Sequence, residues 1–167
     1  MQVVLEHARR GKQLSVEDLV LAIQAHPPLN FVYTILDKRA GKKVSVCSRN
    51  SIKRALSACV ELGFIRRENG QLTPVGVRAA NPEHFDKSLV KQLGEYFAGI
   101  KTPIETISAV ILNRLLGHRP PIVPTSENIW SGIGEPISFE QFAGYLHLLG
   151  QCGVFETSQR RSYYPKR

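Results

Sequence analysis

Between Arg49 and Gly76 the sequence reads RNSIKRALSACVELGFIRRENGQLTPVG. Arg49, Asn50, Ser51, Lys53 and Arg54 carry hydrogen-bond donors at spacings that set them on the outer face and first turn of one helix. Arg66, Arg67 and Asn69 follow a few residues later. These side chains suit recognition of a polyanion that also presents flat hydrogen-bonding edges. Arginine pairs as a fork with guanine O6 and N7, and asparagine pairs with adenine N6 and N7. Lys42 and Lys43, just upstream, suit phosphates, which position a protein without specifying sequence.

The overall balance agrees. The 167 residues carry a formal net charge of +8, with a pI near 9.7, and the excess is local. From Lys38 to Arg67 nine cations stand against one acid, Glu61, and the tail TSQRRSYYPKR holds four cations and no acid. The remaining residues are net acidic. Charge concentrated in this way points to a polyanion partner more than to a solvated face. Cations on the helix and on the segment after it are expected to converge on one side of the molecule.

The elements that would position these groups are legible in part. SVEDLVLAIQAH opens with Ser15 and Asp18, close to a capping box, and Pro27 and Pro28 stop it. LNFVYTILDKRAG sets Phe31, Ile35 and Leu36 on one helical face, with Gly41 as a stop, and KKVSV reads as a short strand or an extended linker. Ser48 suits an N-cap for the next helix, where Ile52, Ala55, Leu56, Cys59 and Val60 form an apolar stripe and Gly63 ends it. FIRRE and QLTPV flank Asn69-Gly70, a strong hairpin signal of the type I′ class.

The second half repeats this plan faintly. KSLVKQLGEYFAGI predicts a linker helix, and TPIETISAVILNRLLGH a helix with Pro103 near its first turn. RPPIVPTSENIWSGIGEPI reads as a connection and SFEQFAGYLHLLGQCGVFE as a helix capped by Ser138. A strand pair or a tail completes the chain. ALSACVELGFIRR and YLHLLGQCGVFET share an apolar helix, a glycine and a short aromatic strand, so an internal duplication is expected.

With SIKRALSACVELGFIRR, NGQ and LTPVGVRA in order, the first half resembles the winged helix-turn-helix superfamily. It is similar to bacterial regulators of the multiple-antibiotic-resistance and phenolic-acid families. The resemblance implies a mainly α fold with small β-hairpin wings (α+β) and two tandem winged-helix domains. Residues 1–82 would form the DNA-binding domain, 83–100 a linker helix and 101–167 a winged-helix-like domain. It also implies that Arg49, Asn50, Ser51, Lys53 and Arg54 lie on a recognition helix in the major groove of double-stranded DNA. Arg66, Arg67 and Asn69 would sit on the wing, whose returning strand is LTPVG. GKKVSVCS is longer than the link of roughly three or four residues usual in this motif.

For the second copy, Phe139, Phe142, Leu146 and either Leu149 or Gly150 are expected to face inward and Glu140, Gln141, Tyr145 and His147 outward. A carboxylate without a cation makes a poor phosphate surface. This half is therefore expected to pack on a protein partner or a second protomer, with DNA contacts only from Arg160, Arg161, Lys166 and Arg167. Tyr163 and Tyr164 either pack under the last strand or stack on bases.

Other chemistry finds little support. The sequence has no Cys-x-x-Cys, no paired histidines at metal spacing and no glycine-rich phosphate loop, so neither an enzyme, a cofactor nor a metal is expected. Cys47 lies in the cationic zone and reads as a plain small residue or a redox-sensitive thiol. No apolar run reaches the roughly 18 residues of a membrane span, MQVVLEHARRGK lacks the apolar stretch of a secretory signal, and three scattered cysteines suit a reducing interior. A cytoplasmic, nucleoid-associated location is expected. The leading expectation is a non-enzymatic transcriptional regulator, ahead of a replication, partition or defence-locus factor. The alternative is a winged-helix docking subunit of a DNA-processing or chromosome-organising complex, with a single-stranded DNA or RNA binder behind it.

Overall fold

A computed structural model describes residues 1–12, 14–24, 32–37, 42–47, 49–158 and 162–165, with the backbone alone at 23–24, 32–37 and 42–47. The described residues are mainly helical, with small two-stranded antiparallel sheets. They divide into two compact units, 1–85 and 86–167.

The first unit contains α1 (Gln2–Arg9), α2 (Val16–Gln24), β1 (Val32–Asp37), β2 (Lys42–Cys47), α3 (Arg49–Glu61) and α4 (Pro74–Ala79). Helix α1 packs on α2, α3 and α4, and α2 packs on α3. Val4, Leu5, Leu19, Ile52, Cys59, Leu62, Phe64 and Ile65 are buried there. At the start of α2, Ser15 Oγ accepts from the Asp18 amide at 3.0 Å and donates to Asp18 Oδ2 at 2.6 Å. The two residues of the near-capping box therefore bind each other as well as the first turn.

Two expectations fail in this unit. Within the stretch expected as a helix, Val32–Asp37 is a strand, paired antiparallel to Lys42–Cys47 from Val32↔Cys47 to Asp37↔Lys42. Its run of β-branched and aromatic residues favours the pleated conformation, and KKVSVC supplies the partner edge that the helical pattern ignores. The second failure is the returning wing strand. LTPVG contributes one bridge, Ile65↔Leu72, and then begins α4. Thr73 is extended and caps the helix, its Oγ1 accepting from the Gly76 amide at 3.1 Å, and Pro74 occupies the first turn. The same hydroxyl donates to the Gly63 carbonyl at 2.6 Å, tying α4 to the end of α3. A Cβ on Gly76 would overlap the Phe64 carbonyl, so this approach requires glycine.

The second unit holds most of α5 (Pro82–Gly99), followed by α6 (Ile104–Leu116), α7 (Ser126–Gly132), α8 (Phe139–Gln151), β3 (Phe155–Thr157) and β4 (Tyr163–Pro165). Leu89, Leu93 and Phe97 form the buried stripe of α5. The Phe97 ring meets Phe142 and Tyr145 of α8 edge-on, at centroid distances of 6.2 and 6.3 Å, and Tyr96 meets Tyr145 at 5.1 Å. Tyr145, expected outside, is therefore buried, while Phe139, expected inside, is 37% exposed and lies edge-on to Trp130. The apolar stripe of α8 is turned toward α5, a neighbour that the helix's own periodicity cannot reveal.

The segment expected to be a plain connection contains α7. Thr125 caps it, accepting from the Asn128 amide at 3.3 Å, and Trp130 Nε1 donates to the Ile137 carbonyl at 2.8 Å, closing the turn into α8. Ser138 caps α8 as expected. The last residues form a strand pair, β3 with β4. Ser162 also bridges Thr125, and the Tyr163 amide donates to the Pro124 carbonyl at 3.0 Å. Tyr163 is buried, and a Cβ on Gly150 of α8 would lie 2.6 Å from Thr157 Cγ2. The hairpin thus sits directly on the helix.

The likeness between the halves is local. Helices α3 and α8 both end on a left-handed glycine, Gly63 (φ 70°) and Gly153 (φ 73°). In each, the following amide donates back five residues, Phe64 to Cys59 O and Val154 to Leu149 O, both at 2.9 Å. A β-hairpin precedes α3, whereas α7 precedes α8.

Candidate nucleic-acid interface

Helix α3 owes its two-sided character to its sequence. Ile52 and Cys59 are buried against α1 and α2, and burial pushes the Cys59 thiol up to about 12. The opposite face carries Arg49, Asn50, Lys53, Arg54 and Ser57, all exposed, with Ser51 half-buried at its margin. Among the described residues, no ion pair engages Arg49, Lys53 or Arg54. The face ends in the exposed Glu61.

The segment after α3 forms a tight loop. The Arg66 amide donates to Gln71 O at 2.8 Å and the Gly70 amide to Arg66 O at 2.9 Å. Of Asn69 and Gly70, only the glycine takes a positive φ, 68°, so the turn is not type I′, which requires both. Arg66 and Arg67 are exposed and unpaired among the described residues. Asn69 is occupied differently: its Oδ1 accepts from the Gln71 amide at 3.0 Å and its Nδ2 donates to Gln71 Oε1 at 3.1 Å. Its amide maintains the loop instead of being free to read a base.

The two cation groups expected to converge lie toward different ends of α3. Arg49 to Glu61 spans about 18 Å of helix at about 1.5 Å per residue. The Phe64 and Ile65 amides, donating to Cys59 O, fix the loop at the far end. Lys42 and Lys43 open β2, paired with Asp37 and Leu36, and their side chains fall outside the described residues. So do Arg160, Arg161, Lys166, Arg167, Ser48 and the Cys47 thiol.

On α8 the exposed positions include Glu140 and His147. Gln141 Nε2 donates to the Tyr96 hydroxyl at 2.9 Å, so it is held by α5. Cys152 lies 3.8 Å from Asp86 Oδ1, and burial together with that carboxylate raises its thiol to about 11. No cation stands on this helix.

Cations outside the Lys38–Arg67 window are also exposed: Arg9, Arg10 and Lys12 at the end of α1, and Arg78 on α4. HARRGK was the visible signal of the first three, a basic run interrupted by Gly11, but it lies far in sequence from the Arg66–Gln71 loop. Among the described residues, no group of three His, Cys, Asp or Glu side chains is arranged to hold a metal ion. None of the described helices is long and apolar enough to cross a membrane. Compared with protein-family models, with curated proteins and with solved structures, the chain matches none.

Proposed function

We propose that the chain is a non-enzymatic DNA-binding protein, a transcriptional regulator, that presents the outer face of α3 to the major groove of duplex DNA. The observation that carries this reading is that face itself. Arg49, Asn50, Lys53 and Arg54 stand exposed opposite the buried Ile52 and Cys59, with no described ion pair on the cations. Helices that read base edges need this combination of a rigid apolar anchor and unspent donors.

The tandem winged-helix reading draws its support chiefly from the second unit. There the order is α6, the Thr125 bridge, α7, α8 and the β3–β4 hairpin, with Ser162 closing back on Thr125. A winged helix has this order of elements. The first unit departs from it, with β1–β2 ahead of α3 and a hairpin reduced to one bridge.

The test is binding to random and selected duplexes across a salt series. Affinity should fall with a log–log slope of about −0.9 per phosphate neutralised, and Lys53→Glu with Arg54→Glu should abolish selective binding. Unchanged selectivity in that variant would remove α3 from the interface.

One observation favours the docking reading as a second role. Leu112 and Leu116 of α6 and the nearby Val123 are 43%, 79% and 53% exposed. If they seat a protomer or another protein, Leu112→Glu with Leu116→Glu will lower the assembly mass in sedimentation and leave DNA affinity per protomer unchanged.

A further inference from the structure

The loop after α3 has a neighbour that the sequence does not advertise. A Cβ built on Gly70 would lie 3.6 Å from Leu14 Cδ1, so the Arg66–Gln71 loop rests against the α1–α2 connection. That connection begins at the last turn of α1, where the Arg10 amide donates to Glu6 O and Gly11 turns the chain with φ 66°. Lys12 is two residues from Leu14, within about 7 Å of main chain, and Arg66 is tied to Gly70 through its carbonyl. The contact therefore sets the loop that carries Arg66 and Arg67 beside the connection that carries Lys12 and follows Arg9 and Arg10. All five are exposed and none has a described ion-pair partner. The one acid in the loop is Glu68, also exposed.

We infer that these two loops form a second, sequence-independent contact patch for the phosphate backbone of the same duplex that α3 reads. The inference rests on the proposed role of α3 and extends it. The patch is made of turns and helix ends and presents no rod or ribbon to enter a groove. Its side chains are almost all arginines, whose forked donors match phosphate oxygens. It sits toward the C-terminal end of α3, about 18 Å along that helix from Arg49. The patch would set register and orientation while α3 selects sequence.

The experiment compares three proteins on one selected and one random duplex between 50 and 200 mM salt. They are the wild type, the triple variant Arg9→Gln, Arg10→Gln, Lys12→Gln, and the double variant Lys53→Glu, Arg54→Glu. Circular dichroism verifies that each is folded. The triple variant should lose about 2.7 from the salt slope, three times the value of about 0.9 per phosphate. Across that salt range the wild type should then lose about fortyfold more affinity than the triple variant, equally on both duplexes. Arg66→Gln with Arg67→Gln should lower the slope by about 1.8.

A triple variant with the wild-type slope, alongside a double variant that binds poorly, overturns the patch and leaves α3 standing. A reduced slope in the triple variant, with full selectivity in the double, upholds the patch as a polyanion site and overturns the reading of α3. A wild type that binds no duplex overturns both.

Discussion

The ends of α3 and α8 are built alike and furnished differently. Each helix closes on a left-handed glycine and a back-bonded aromatic segment. After α8 the chain completes a hairpin that bridges to Thr125 and packs on Gly150. After α3 it makes one bridge and turns into α4. Charge runs the opposite way. The outer face of α3 carries Arg49, Lys53 and Arg54, whereas α8 offers Glu140 and His147. The more complete hairpin thus belongs to the helix without cations. Architecture and electrostatics are separable here, and the DNA reading follows the electrostatics.

The largest expected effect tests that division. Lys53→Glu with Arg54→Glu should abolish selective DNA binding, a loss of at least about thirtyfold, since specific contacts contribute about 1–3 kcal/mol each. Glu140→Gln with His147→Ala on α8 should change it less than about threefold, as single exposed sites without phosphate contacts would. Equal losses from the two pairs would erase the contrast between the helices.

Next in size is the aromatic cluster of the second unit. Phe97→Ala removes a fully buried ring that meets Phe142 and Tyr145. Denaturant unfolding should register a loss of about 3–5 kcal/mol.

Two thiols, Cys59 buried and Cys152 half-buried, sharpen the comparison through pH. Cys59 is raised from 9.0 to about 12, first by burial. Above pH 9 the unfolded chain gives up this proton while the folded chain keeps it. Its contribution is complete below that pH and is lost as pH rises toward about 12, at up to about 1.4 kcal/mol per pH unit. Cys152, raised to about 11 by burial and then by Asp86, is half-exposed, so its loss should be smaller and end sooner. Stability curves of Cys59→Ala and Cys152→Ala measured between pH 8 and 11 separate the two.

The smallest effects oppose each other in sign. Gly76→Ala drives a methyl into the Phe64 carbonyl and should cost about 1–3 kcal/mol. Gly144, inside α8, has open space where a Cβ would go. Gly144→Ala should stabilise by about 0.5–1 kcal/mol, the helix-propensity difference. Thermal unfolding of the two variants checks both signs.

Much of the candidate site was readable. The apolar stripe of α3 and its basic outer face follow from a period of 3.6 residues, a purely local property. Gly63 and Ser138 marked a helix end and a helix start for equally local reasons. Other elements were misread. Val32–Asp37 has both a helical pattern and strand-forming residues, and only the partner strand Lys42–Cys47 decides between them. LTPVG was read as a returning strand after Asn69-Gly70, whereas Thr73 followed by Pro74 starts a helix. Tyr145 went outside on periodicity alone because Tyr96 and Phe97 lie more than forty positions away in sequence.

By itself the sequence determined where positive charge is stored and which helix can display it, because residue type and helical spacing operate within a few residues. Tertiary structure alone decided that Gly70 rests on Leu14, and so which cations become neighbours. It also set the loop toward the far end of α3 from Arg49. Such pairings depend on loop closure and on contacts between distant segments, which no local pattern encodes.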